Sequence, residues 1–197
     1  MDPHASPELR LHLPVGLAAA DPGGGSARFP TPEMRMDWVL ALAVQNFARR
    51  DGGPFAAAVF DSADGRLIAA GVNRVEATRC SLAHAEMLAL GRAQAAVGAW
   101  NLSGDARTCV LVSSAEPCAM CLGALPWSGI AALEFGASDA DVRAIGFDEG
   151  DKPADWAQLL RHRGIQVLGE VLRLQAVEVL QAYVTSGGTL YQPRPAP

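Results

Sequence analysis

The segment "TCVLVSSAEPCAMCLGALPWSG", residues 108 to 129, constrains the fold more than any other part of the chain. An apolar, β-branched run reads as a buried strand, and the proline after it opens what reads as a helix. A strand that passes straight into a helix has no room for a hairpin, so its sheet has to be covered by helices. The junction also carries two cysteines, Cys118 and Cys121. Residues three apart share one face of a helix, so both sulfurs can reach the same ion. The helix N-terminus favours negative charge and lowers both thiols toward thiolate. Only two further cysteines, Cys80 and Cys109, occur in 197 residues. That is no disulfide framework, which leaves structural zinc, a redox pair or coincidence for Cys118 and Cys121.

The rest of the chain falls into similar units. Thr31 as N-cap, Pro32 at the first helical position and Glu33 behind it predict a helix through Trp38, Leu42 and Phe47, stopped by "DGG" at 51–53. "PFAAAVFD" and "RLIAAGVNRV" read as two strands joined by the turn "SADG". "SLAHAEMLALGRAQAAVG" reads as a helix, and "CAMCLGALPWSG" as a short one that Pro126 helps to end. "IAALEFG" is a strand. The "GFDEGDKP" loop, a short helix near Trp156, the strand "IQVLGEV" and a last helix through Leu180 and Tyr183 complete the series. The order predicts an α/β protein, a three-layer α/β/α sandwich around a central mixed sheet of about five strands. Residues 1–30, rich in Pro and Gly, read as an N-terminal extension, and residues 31–197 as one domain.

Composition narrows the partners. The net charge is −5, and Lys152 is the only lysine. Arg49-Arg50 and Arg161-His162-Arg163 are the densest basic runs, so no face is expected to neutralise a polyanion. Nucleic acid is therefore not expected as a partner. No segment approaches the roughly eighteen unbroken apolar residues of a membrane span. The first residues lack the basic and apolar regions of a secretory signal, which points to the cytoplasm and reduced thiols.

A second strand-to-helix junction carries "AHAE", with His84 and Glu86 in the first turn of a helix. One histidine and two cysteines suit a zinc ion whose fourth position stays open for water. With Pro117 before Cys118, the two junctions reproduce the H-x-E…P-C-x-x-C signature of zinc nucleobase deaminases. The chain resembles the cytidine-deaminase superfamily, and within it small bacterial guanine deaminases. The likeness runs from about Gly53 to Tyr191, through "GPFAAAVFD", "GVNRV", "AHAEMLAL", "SSAEPCAMCLGALPWSG" and "AIGFDEG". One departure is "CSLAHAE", where relatives often carry Pro-Thr before Ala-His.

The resemblance implies one Zn2+ per chain, held by His84, Cys118 and Cys121, with Glu86 as the catalytic proton shuttle. It implies hydrolytic deamination of a free nucleobase, guanine to xanthine and ammonia, and a reach to aminotriazines such as ammeline. Guanine offers N1–H as a donor, for which a second carboxylate is useful. Glu149 is expected in that catalytic role, with Asp148 beside it as a substrate contact. A loop carboxylate is more often simply solvated. Asn73, Phe55, Trp127, Phe147 and the amide of Ala85 are the other expected substrate contacts, although aromatics at strand and helix ends are more often core. Tyr191 and the "GGTLYQ" tail are expected to cover a pocket. A homodimer through the apolar face of "CLGALPW" is expected. The alternatives are a tRNA adenosine deaminase, a cytosine or cytidine deaminase, and a non-catalytic member that keeps zinc as a staple. The acidic balance and the single lysine count against the first.

Overall fold

A computed structural model describes residues 27–104 and 107–192. The expected extension lies outside the described residues up to position 26. Its last residues already belong to the folded body. Phe29 N–H donates to the Gly65 carbonyl at 2.9 Å, and its ring meets Trp38 and Phe60 at centroid distances of 5.8 and 5.5 Å.

The first helix, α1 (Pro32–Ala48), starts as its sequence predicts. Thr31 Oγ1 accepts from Met34 N–H at 3.2 Å, and Pro32 occupies the first turn. Strands β1 (Ala56–Asp61) and β2 (Leu67–Val72) form the expected antiparallel hairpin. A four-residue helix α2 (Val75–Thr78) then precedes α3 (Ala85–Val97), β3 (Cys109–Ala115) and α4 (Ala119–Ser128). After β4 (Ala132–Ala137) come α5 (Asp139–Ala144), α6 (Trp156–His162), β5 (Gln166–Leu168) and α7 (Arg173–Thr185).

The five strands form one mixed sheet in the order β2-β1-β3-β4-β5. β1 pairs antiparallel with both β2 and β3, whereas β3–β4 and β4–β5 are parallel. Side chains alternate across it. On β1, Ala56, Ala58 and Phe60 point toward α1 and α7, while Ala57 and Val59 point toward α3 and α4. Val110 and Val112 of β3 take the first side and Leu111 the second. The expected three-layer α/β/α sandwich is what forms. No helix among the described residues is long and apolar enough to cross a membrane.

Three local differences from the sequence reading have physical causes. α5 was not expected; its capping box, in which Ser138 Oγ accepts from Asp141 N–H and Asp141 returns the bond, starts a helix too short to show periodicity. Pro126 does not end α4, which runs on to Gly129 at φ 77°. Leu125 and Ser128, on either side of the proline, stay buried, and Ser128 Oγ donates to the Leu125 carbonyl at 2.7 Å. Finally, α3 begins at Ala85 rather than in "SLA", which makes His84 its N-cap.

One glycine fixes the distance between layers. A Cβ on Gly71 of β2 would lie 2.3 Å from the Ala85 carbonyl oxygen and 2.5 Å from Ala89 N. Both obstacles are α3 backbone, so only glycine lets the helix lie this close to the sheet. The start of α3, which carries His84 and Glu86, is set by that contact.

Candidate active site

The N-caps of α3 and α4 are His84 and Cys118, both in extended conformation. They project from neighbouring helix starts, and Cys121, fully buried, follows three residues into α4. His84 Nδ1 lies 3.5 Å from Cys118 Sγ and 3.6 Å from Cys121 Sγ. The three ligand atoms all fall within 4.8 Å of one another. Zinc bonds of about 2.3 Å to sulfur and about 2.0–2.1 Å to nitrogen, set at tetrahedral angles, require N···S edges of about 3.5–3.6 Å. The donor set therefore fits zinc, with three protein ligands and one position left for a small molecule.

The protonation of the pair follows from its packing. A hydrogen bond from Cys121 is the main cause that holds Cys118 down, to about 4, with a further contribution from His84. Cys121 is pushed well up, first by that shared hydrogen bond with Cys118, then by burial and by the Glu86 charge. In effect the two sulfurs share one proton, which a divalent ion displaces on binding.

A cavity opens beside these donors, lined by Phe55, Asn73, Glu86, Phe147, Glu149 and Tyr191 among others. Glu86 and Glu149 are both buried, 7% and 8% exposed. Burial, then the Cys118 charge, raises the Glu86 carboxyl. Burial again comes first for Glu149, followed by the Cys118 and Glu86 charges, and lifts it to about 8. Its ordinary value is 4.5, so in the metal-free protein folding takes up a proton between pH 4.5 and about 8. The metal-free protein is thus expected to lose stability as pH rises through that window, and Glu149→Gln to lose much less. Thermal melts of both proteins from pH 5 to 8 would show it; parallel curves would mean that Glu149 does not carry the proton.

The other predicted residues divide. Asn73, only 1% exposed, donates from Nδ2 to the Tyr191 hydroxyl at 2.5 Å. Its backbone is pinned by Asn46, whose buried Nδ2 donates to the carbonyls of Gly53 and Asn73 at 2.8 and 2.9 Å. Phe55 and Phe147 meet edge to face at 5.1 Å on the cavity wall. Asp148 borders the cavity, but it is exposed and its Oδ1 accepts from Arg143 and from Gly150 N–H. The buried neighbour, Glu149, is the one that faces inward. Ala85 turns its side chain into the core beside Ala89 and Leu111, so only its amide can meet the site.

Trp127 does not line this cavity, contrary to the sequence reading, and is 78% exposed. It follows Leu125 by two positions, about 200° around the helix, and Leu125 is buried against the sheet. The apolar pattern of α4 thus sends the tryptophan outward. Cys109 is buried and donates to the Leu102 carbonyl, and His162 is exposed.

Tyr191 has more part in the site than sequence reasoning gave it. Its ring lies 5.6 Å from Phe147 and 6.3 Å from His84, and Gln192 donates to the Gly146 carbonyl at 2.9 Å. The tail folds across the chain's own cavity and leaves about 30 Å3 beneath it. That holds a few waters at roughly 10–15 Å3 each, and not a purine.

Comparison with known families gives this geometry its chemistry. Residues 33–137 match the cytidine and deoxycytidylate deaminase zinc-binding region. The chain belongs to that family. It is a zinc-dependent deaminase, and His84, Cys118 and Cys121 are the donor set that fits the zinc. Its relatives include the guanine deaminase of Bacillus subtilis, 37% identical over 122 residues, which cover 59% of this chain and 74% of that one. Among solved structures it is similar to the guanine deaminase of Nitrosomonas europaea, with 48% identity and a TM-score of 0.87. That match covers 92% of this deaminase and 99% of its counterpart. A structure of NE0047 in complex with 2,6-diaminopurine is 48% identical, with a TM-score of 0.87 and 92% and 95% coverage.

Proposed function

We propose that the protein deaminates free guanine to xanthine and ammonia, and accepts aminotriazines such as ammeline that present a similar amine-bearing edge. The observation that carries this reading is a second buried carboxylate, Glu149, lining the same cavity as Glu86 and Asn73. Guanine is the base whose N1–H calls for an acceptor there. The likeness to guanine deaminases over most of the chain supports the same substrate.

Zinc held by His84, Cys118 and Cys121 would supply the Lewis acidity that lets a water ionise near neutral pH. Glu86 takes that proton and passes it to the ring nitrogen as the hydroxyl adds to C2, then carries the proton of the new C2 hydroxyl to the amine, so that the C–N bond breaks and ammonia leaves. Glu149 accepts from N1–H and holds the base in register, while Asn73 offers an amide to its far edge. Phe55 and Phe147 wall the rings. For a base to enter, Tyr191 has to release Asn73 and swing away; its return excludes water.

The single lysine is buried rather than displayed, which supports a small neutral substrate over RNA. Reduced thiols support a cytoplasmic location. Trp127 and Trp100, 78% and 74% exposed, border one groove beside α4 and support a homodimer through that face. Ammonia release should be measured on guanine, ammeline, adenine, cytosine, cytidine, deoxycytidylate and a tRNA anticodon stem. Turnover of guanine with none of cytidine or tRNA is expected. Turnover of cytidine or tRNA alone would overturn the choice of base.

A further inference from the structure

Lys152 lies outside the cavity described above, yet its surroundings are built around it. Its side chain is 7% exposed, and its ammonium donates to two acceptors and forms an ion pair with a third group. They are Glu116 Oε1 at 2.6 Å, the Pro117 carbonyl at 3.1 Å and Asp139 Oδ1 at 2.8 Å. The Trp156 ring closes the site at 5.9 Å.

Lys152 and these partners come from three separate connections. Glu116 and Pro117 lead directly into Cys118. Asp139 opens α5, and its N–H donates to the other Glu116 oxygen at 3.1 Å. Lys152 itself ends the loop that carries Glu149. That loop is held at two more points: Ala119 N–H donates to the Glu149 carbonyl at 2.9 Å, and Arg143 donates to Asp148 and to the Gly150 carbonyl. The Lys152 charge is also among those felt by the Glu149 carboxyl, where it acts against burial.

We propose that Lys152 is a positioning residue that clamps the 146–152 loop to the Glu116–Pro117 turn and so sets Glu149 against the substrate. This rests on the reading of Glu149 given above. The neighbouring Arg143 is more exposed, so the buried lysine is the firmer of the two clamps. Displacements of about 1 Å in a reacting group cost on the order of 100-fold in rate.

The test is steady-state guanine turnover by Lys152→Met, Glu149→Gln and the double variant, with zinc per chain measured for each. Lys152→Met is expected to lower kcat by roughly 10- to 100-fold, with KM and zinc content little changed. In the Glu149→Gln background the lysine substitution should cost almost nothing more, because a residue acting through Glu149 has nothing left to act on. An unchanged kcat, loss of zinc, or the full additional loss in the double variant would each overturn the proposal. Glu149→Gln with wild-type activity would instead remove Glu149 from the reaction, and the single variant reveals that separately. Should Lys152→Met fail to fold, Glu116→Gln keeps the volume and removes one charge from the clamp. It is expected to lose roughly 3- to 10-fold in kcat, within the span of a partial displacement, and to be equally silent in the Glu149→Gln background. Wild-type activity in Glu116→Gln would count against the clamp.

Discussion

Glu86→Gln is expected to lower kcat on guanine by roughly 100- to 10,000-fold, the range for losing a general acid–base group. The zinc content should not change, because Glu86 is not among the three donors that surround the metal position. Glutamine keeps the shape of the side chain at a 7% exposed position, so packing is preserved and only proton transfer is lost. Substrate affinity should hold, which separates this variant from one that disturbs the cavity. Zinc analysis and steady-state rates on one preparation would suffice. A Glu86→Gln protein that binds zinc and turns over at the wild-type rate would remove the carboxylate from the chemistry.

Cys121→Ser is expected to act on both metal and fold. Cys121 is fully buried at the third position of α4, and a serine hydroxyl does not ionise there to replace a thiolate. Zinc should fall below one per chain and ammonia release by more than roughly 1,000-fold, since a free water's pKa lies about nine units above a zinc-activated one. Stability should fall as well. A ligand held at about 1,000 times its Kd stabilises by about 4 kcal/mol, worth about 8–16 °C in Tm at this chain length. Chelation of the wild-type protein should reproduce the drop, and added zinc should reverse it there but not in Cys121→Ser. A variant that melts with the wild type would show that the two helix starts hold together without the ion.

The metal site was legible because its ligands sit in two short local patterns, and each falls at a strand-to-helix junction that apolar runs announce. The sheet was legible for the same reason: five apolar runs, each bounded by turn residues. Glu149 could be singled out only through the resemblance, since a loop carboxylate looks alike in sequence whether solvated or buried. Trp127 shows the limit of reading apolar residues as pocket walls. A two-residue step on a helix reverses its direction, and no composition reveals which face is turned inward. Tyr191 was reached only through the resemblance, and Lys152 was beyond local patterns altogether. The lysine finds its carboxylate partners 13 and 36 residues away, and the tyrosine bonds to an asparagine 118 residues before it. α5 carried a signal, the Ser138–Asp141 capping box, which an apolar-periodicity search passes over.

Gly71 locks the start of α3 against the sheet, and with it half of the metal site, while Glu149, the carboxylate proposed to select the base, rides on the 146–152 loop and Tyr191 on the tail. The metal donors are thus mounted on the frame, and part of the proposed recognition on its trim. Mutational drift in 146–152 and 187–192 can retune which amine-bearing ring is accepted without disturbing metal affinity or the proton shuttle. The same arrangement makes those two short segments the economical place to randomise when a new substrate is wanted.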